Sequence, residues 1–205
     1  SIAIGCSYGH GTELPGTFSV TPESLADTVR QVVEWAAYSG VQRVILVNGH
    51  FGNQAALGIA SDHIRFHRPD LRIGTVSWWA ATKAVEAEVL KDGDDIHANR
   101  AETSMMLAVA PELVRMDLAS GADDPDRTPG LVFRYTAPSL STNGVTGSPS
   151  QATVELGEWL FKETVDALAD MVEAGRREEP PLQSHRAPTA TSDERTSSLS
   201  SGGNR

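Results

Sequence analysis

Two short β-rich runs, each followed by a change to helical spacing, constrain this chain more than any other feature. Val44-Ile45-Leu46-Val47 runs into Asn-Gly-His, and Leu57, Ala60 and Ile64 then recur on one face of a predicted helix over 53–67. "LRIGTVSWW", 71–79, reads as the next strand after a Pro69-Asp70 turn. Upstream, Thr21-Pro22-Glu23 is a helix start: a capping hydroxyl, proline at the first helical position and a carboxylate that suits the helix dipole. Leu25, Val29, Val32, Val33 and Ala36 carry that helix to a glycine stop at Gly40. Strand and helix in alternation imply parallel pairing with right-handed crossovers. The expected class is α/β, a three-layer α/β/α sandwich with a mainly parallel sheet. Ligands in such sheets sit at the carboxyl ends of the strands, and Asn48-Gly49-His50 falls at one of them.

The rest of the chain continues this reading. Residues 2–6 are expected as a short strand and 43–47 as a buried one. Helices are expected over 82–91, over 99–110 up to Pro111, and over 151–174, where Phe161, Val165, Leu168 and Val172 recur three or four residues apart and Val154 lies two turns before Phe161. Residues 119–150 read as irregular. After Gly175 only Leu182 and Leu199 are large and apolar, too few to offset the entropy of ordering. The domain is therefore assigned to 1–175 and a disordered polar tail to 176–205.

Charge and composition exclude several classes of function. A net charge of −10 argues against a nucleic-acid partner. No stretch approaches the apolar length of a membrane span. Cys6 is the only cysteine, so no internal disulfide forms, and a reducing, cytoplasmic setting is expected. The chain starts at Ser1 inside an apolar stretch without Met, as a piece of a longer protein would.

Three residues stand out for chemistry. His50 lies between Gly49 and Gly52, where the backbone can turn and approach a ligand closely. Histidine is also the commonest metal ligand. Glu102 precedes Met105, Met106 and Val109 at +3, +4 and +7, on the apolar face of its helix, and a buried carboxylate needs a partner or a metal. Asn99-Arg100-Ala101-Glu102 is also an N-x-x-E capping box, and the two roles can coexist. His97 lies near Asp94 and Asp95, as suits a general acid or base, or a metal ligand backed by carboxylates; alone, such a loop histidine is more often a surface feature. Ser7, Tyr8 and His10 share a glycine-rich loop, but "GCSYG" only partly matches a nucleophile elbow. His63 and His67 lack the glutamate of H-E-x-x-H and read as a solvated helix face.

Four blocks in order then carry a resemblance: "GCSYGHGTELPGT", "VILVNGHFGNQ", "HANRAETSMML" and "NGVTGSPSQAT". Over residues 2–174 the chain resembles the creatininase (creatinine amidohydrolase) family. The resemblance implies an α/β/α fold, often hexameric, and a homo-oligomer acting on a small-molecule substrate. It implies a hydrolase of non-peptide C–N bonds, in amides, cyclic amides or formamides, with divalent zinc or manganese, two ions per complete site. By motif match His50 is a metal ligand, Glu102 an acidic ligand or binder of the attacking water, and His97 the proton shuttle. Ser7 and Trp78 match substrate-contacting positions. The family's first metal-binding block, a glutamate, a histidine and an aspartate upstream of the glycine-rich loop, has no counterpart here. Arg100 is also unusual, as a residue that either disturbs a cationic site or binds a substrate carboxylate. Creatinine-specific members carry glutamate where this chain has Gly52, which argues against creatinine as substrate. A non-catalytic subunit acting in binding or assembly is the alternative.

Overall fold

The computed structural model describes residues 1–7 and 15–182. Residues 183–205 of the predicted tail, and Tyr8 and His10 of the glycine-rich loop, lie outside the described residues. Helix α1 (Pro22–Tyr38) starts where the sequence indicates, with Thr21 Oγ1 accepting from the Ser24 N–H at 3.2 Å. It buries Leu25, Ala26, Val29 and Val33. Gly40 stops the chain's helical course with φ +93°, a left-handed conformation that glycine adopts freely. Strand β1 (Arg43–Asn48) then pairs in parallel with β2 (Arg72–Ser77), with Val47 opposite Val76 and Asn48 opposite Ser77. Helix α2 (Gln54–His67) makes the crossover and buries Ala56, Leu57, Ala60 and Ile64.

Val44, Leu46 and Ile73 on one sheet face pack against the core of α1 and α2. Helix α7 (Val154–Arg177) reaches the opposite face, where a Cβ on Gly175 would stand 3.6 Å from Ile45 Cδ1. The helix/sheet/helix layering and the parallel pairing are as expected.

Three expectations are corrected. Residues 2–6 run beside the core without strand pairing: the Cys6 N–H is taken by the Asn53 side-chain oxygen at 2.7 Å. β1 is not buried on both faces, since Ile45 and Val47 point away from α1 and α2 and stay exposed. The predicted stripe on α7 is likewise outward: Val154, Phe161, Val165 and Val172 are exposed, and Gly157, Leu160 and Thr164 are buried instead. The physical reason is close helix packing. Gly157 lets α7 lie directly on the backbone of α4 (Arg100–Val109), a contact that favours small residues over large apolar ones.

Between the two, α3 (Lys83–Val89) is capped by Thr82 and contributes Val85 and Val89 to a second core with Trp79, Ile96, Ala101 and Leu160. Residues 111–150 are mostly loop with two single turns, α5 (Met116–Ala119) and α6 (Ala137–Leu140). Buried Asp124 ties that loop together. It pairs with Arg127 at 2.6 Å and accepts from the Thr142 N–H at 2.7 Å and from the Ser141 hydroxyl at 3.0 Å. The Arg127 guanidinium and these donors hold its carboxyl well below the usual carboxylate range. A depressed native pKa contributes stability that is present above the unfolded-state value, about 3.9, and is lost as pH falls below it. Thermal unfolding of wild type and Asp124→Asn across pH should therefore show a Tm gap near neutrality that narrows below about pH 4.

Candidate functional site

The Asn48-Gly49-His50 turn sits at the carboxyl end of β1, and two asparagines build it. Buried Asn48 Oδ1 accepts from the His50 N–H at 3.1 Å and from Asn53 Nδ2 at 3.3 Å, while its own amide donates to Ser77 Oγ at 3.2 Å. Asn53 in turn holds Cys6. One side-chain network thus fixes β1, β2 and the first loop against one another, as buried polar groups demand. Gly52 is required by close approach: a Cβ there would lie 2.1 Å from the Cys6 carbonyl oxygen and 2.9 Å from His50 Nε2. Gly49 meets no such obstacle, so only one of the two glycines is sterically needed. A glutamate at position 52 has no room in this conformation.

His50 is half-buried, and its ring is hydrogen-bonded to Ser7 Oγ at 2.9 Å. Burial lowers its pKa, as does the nearby His97 ring. Among the described residues no carboxylate hydrogen-bonds to His50, so the Ser7–His50 pair lacks the orienting acid of a serine-hydrolase triad.

The second half of the site comes from the loop before α4. His97 pairs its backbone with Thr146, whose N–H donates to the His97 carbonyl at 2.8 Å. His97 Nδ1 donates to the Gly144 carbonyl. That bond orients the ring and, in the neutral imidazole, leaves the basic lone pair on Nε2. Ala98 follows at φ +52°, an uncommon conformation for a non-glycine residue, and its N–H donates to Glu102 Oε2 at 2.6 Å. Asn99 caps α4 by accepting from the Glu102 N–H at 2.9 Å. The capping box is therefore real in its first half, while the Glu102 carboxylate reaches the residue before the cap. The "NGVTG" block supports this loop: a Cβ on Gly147 would meet Asp92 Oδ2 at 2.4 Å.

Glu102 does not face the core. Ala101 and Ser104 are the buried residues of α4, whereas Met106 and Val109 are exposed. Glu102 and Met106 instead line an open cavity of about 560 Å³, together with His50, His97, Ile96 and Val145. Burial raises the Glu102 pKa, and Asp92 and Asp95 push the same way against the Ala98 N–H and His97.

The remaining candidates fall elsewhere. Arg100 points away and pairs with Glu88 at 2.5 Å, so it neither crowds this cavity nor reads a ligand in it. Trp78 packs against the second core beside Trp79 and does not line the cavity. His63 and His67 lie exposed on α2, ring to ring at 4.3 Å. Arg115, which does line the cavity, escaped sequence reading because no motif surrounds it.

Comparison with known proteins follows the same lines. The creatininase family profile, described as creatinine amidohydrolase, matches residues 1–172. The chain belongs to the creatininase family. It is 31% identical over 186 residues to creatinine amidohydrolase of Pseudomonas putida, covering 84% of this chain and 70% of that protein. It is 34% identical over 168 residues to the mycofactocin precursor peptide peptidase of Mycobacterium ulcerans (strain Agy99), covering 80% of this chain and 61% of that protein. A solved creatininase in a form designated Mn superimposes with a TM-score of 0.67 at 27% identity, covering 82% of this chain and 70% of that one. The named relatives are hydrolases, and the creatininase-like fold matches the layering found here.

Proposed function

We infer that this chain hydrolyses an amide C–N bond in the cavity lined by His50, His97 and Glu102. One observation carries the reading: a carboxylate raised by burial and an imidazole held by Gly144 face the same open cavity. Glu102 takes a proton from the attacking water, and the imidazolium form of His97, with its second proton on Nε2, delivers that proton to the leaving nitrogen. The carbonyl carbon gains the hydroxyl, the C–N bond breaks, and the products are a carboxylic acid and an amine.

His50 and Glu102 are nitrogen and oxygen donors of the kind that zinc and manganese accept. Among the described residues no three His, Cys, Asp or Glu side chains converge on one point, so a complete centre needs donors from beyond them. The designation of the solved relative supports manganese as one such ion. A divalent ion held at His50 would polarise the amide carbonyl and acidify water.

The assembly is read as a homo-oligomer, which the uncovered Val154, Phe161 and Val165 stripe supports. Among the described residues no helix is long and apolar enough to cross a membrane, and a cytoplasmic location is the accompanying reading.

The incomplete donor set favours one second reading, a non-catalytic subunit. Metal analysis and an amide panel separate the two. The expected result is one or two transition-metal ions per chain, at about the stoichiometry of a catalytic centre, lost in His50→Ala. Hydrolysis should be blocked by a chelator and lowered about 10²–10⁴-fold in His97→Asn. A wild type that binds no metal and hydrolyses no amide would establish the second reading.

A further inference from the structure

The cavity has an apolar part besides its polar residues. Met106 on α4 and Leu113, Val114 and Leu118 line it, with Arg115 among them. These apolar side chains are not committed to the core: Met106 is 40%, Leu113 69% and Leu118 52% exposed. Apolar side chains that face a cavity and remain open to solvent are available to a ligand.

Arg115 is the only lysine or arginine along this cavity among the described residues. Arg30, Arg43, Arg68, Arg100 and Arg127 are each held by a carboxylate, whereas the Arg115 guanidinium has no hydrogen bond or ion pair within the described residues. In a chain of net charge −10, a cation left without a carboxylate beside a reactive site is free to take one from a ligand. A guanidinium suits that task, since its planar fork matches a carboxylate with two parallel hydrogen bonds.

We propose that Arg115 and the Met106–Leu113–Leu118 wall form a subsite for an N-acyl amino acid bearing an apolar side chain. Such a ligand carries three groups on or next to one carbon: the amide nitrogen, the side chain and the carboxylate. The carboxylate meets Arg115, the side chain lies on the apolar wall, and the amide is directed to His97 and Glu102. The assignment rests on the proposed amide hydrolysis for what happens to the amide. Water then adds its hydroxyl to the acyl carbon and its hydrogen to the nitrogen, releasing a carboxylic acid and the free amino acid.

Binding tests the subsite independently of turnover. N-acetyl-leucine and N-acetyl-leucinamide differ in the carboxylate alone, and both can be titrated calorimetrically into the whole chain. The acid should bind about tenfold more tightly than the amide, as expected for a charge-assisted contact. Arg115→Met should abolish that preference, and Arg115→Lys should retain part of it. Because Arg115 is exposed, neither variant should lower the Tm. Leu113→Asn should weaken N-acetyl-leucine but leave N-acetyl-glycine unchanged. Equal affinity for acid and amide, no saturable binding of either, or a preference that survives Arg115→Met would overturn the proposal. A preference that is present while the amide is never hydrolysed would count against the hydrolase reading alone.

Discussion

Replacing Glu102 by glutamine should lower kcat for amide hydrolysis by about 10²–10⁴, the usual contribution of a positioned acid or base. The fold should be unaffected. A glutamine oxygen can still accept from the Ala98 N–H, and Asn99 caps α4 through the backbone of residue 102 rather than its side chain. The loss is therefore chemical and should appear with an unchanged Tm. The pH profile provides a second check. As a base, Glu102 works deprotonated, and burial raises its pKa. The acid limb of kcat/KM should lie above the ordinary glutamate value of about 4.3, with activity rising as pH increases through it. A limb at or below that value would show that another group is the base. A Glu102→Gln variant with undiminished kcat would remove Glu102 from the mechanism.

The largest stability effect is expected at Gly157. Gly157 lies in the first turn of α7, where glycine to alanine gains at most about 1 kcal/mol from helix propensity. Here the new Cβ would stand 1.8 Å from the Ser104 carbonyl oxygen and 2.5 Å from its carbon. Both are backbone atoms of α4, so no side chain can swing aside. Separating α4 from α7 would open the second core around Ala101 and Leu160. Overpacking of this kind costs about 3 kcal/mol or more and outweighs the propensity gain. Gly157→Ala should thus lower the unfolding free energy by about 2 kcal/mol or more, measured by denaturant titration. Gly58 on α2 is the control of opposite sign. Nothing lies within 4 Å of a Cβ there, so Gly58→Ala should stabilise by up to about 1 kcal/mol. Equal effects at the two glycines would mean that helix propensity, not the α4–α7 contact, decides the outcome.

Short-range sequence signals are legible because their causes are local. Thr21-Pro22, Gly40 and Asn99 act within one turn of backbone, and each ends or starts a helix as expected. The β1–α2–β2 unit follows from apolar spacing and the handedness of crossovers, and it places His50 at the carboxyl end of a parallel pair. The four motif blocks also carried the family. Their individual jobs were less legible. Asn53 ties Cys6 to the turn, Asn48 reaches Ser77, and Gly144 supplies the acceptor for His97, through contacts that span dozens of residues.

What the sequence by itself determined is therefore the class of fold, the family and the identity of His50, His97 and Glu102 as the residues to watch. The tertiary structure decided which face of each element is covered. Periodicity marks an apolar stripe but cannot say what lies against it. On α4 the Glu102–Met106 side borders a cavity, on α7 the Phe161 stripe faces outward, and Gly157 makes the contact between the helices. It also decided that Arg100 pairs with Glu88 while Arg115 lines the same cavity as Glu102. Partners of that kind depend on distances between segments far apart in the chain, and no spacing rule within one segment contains them.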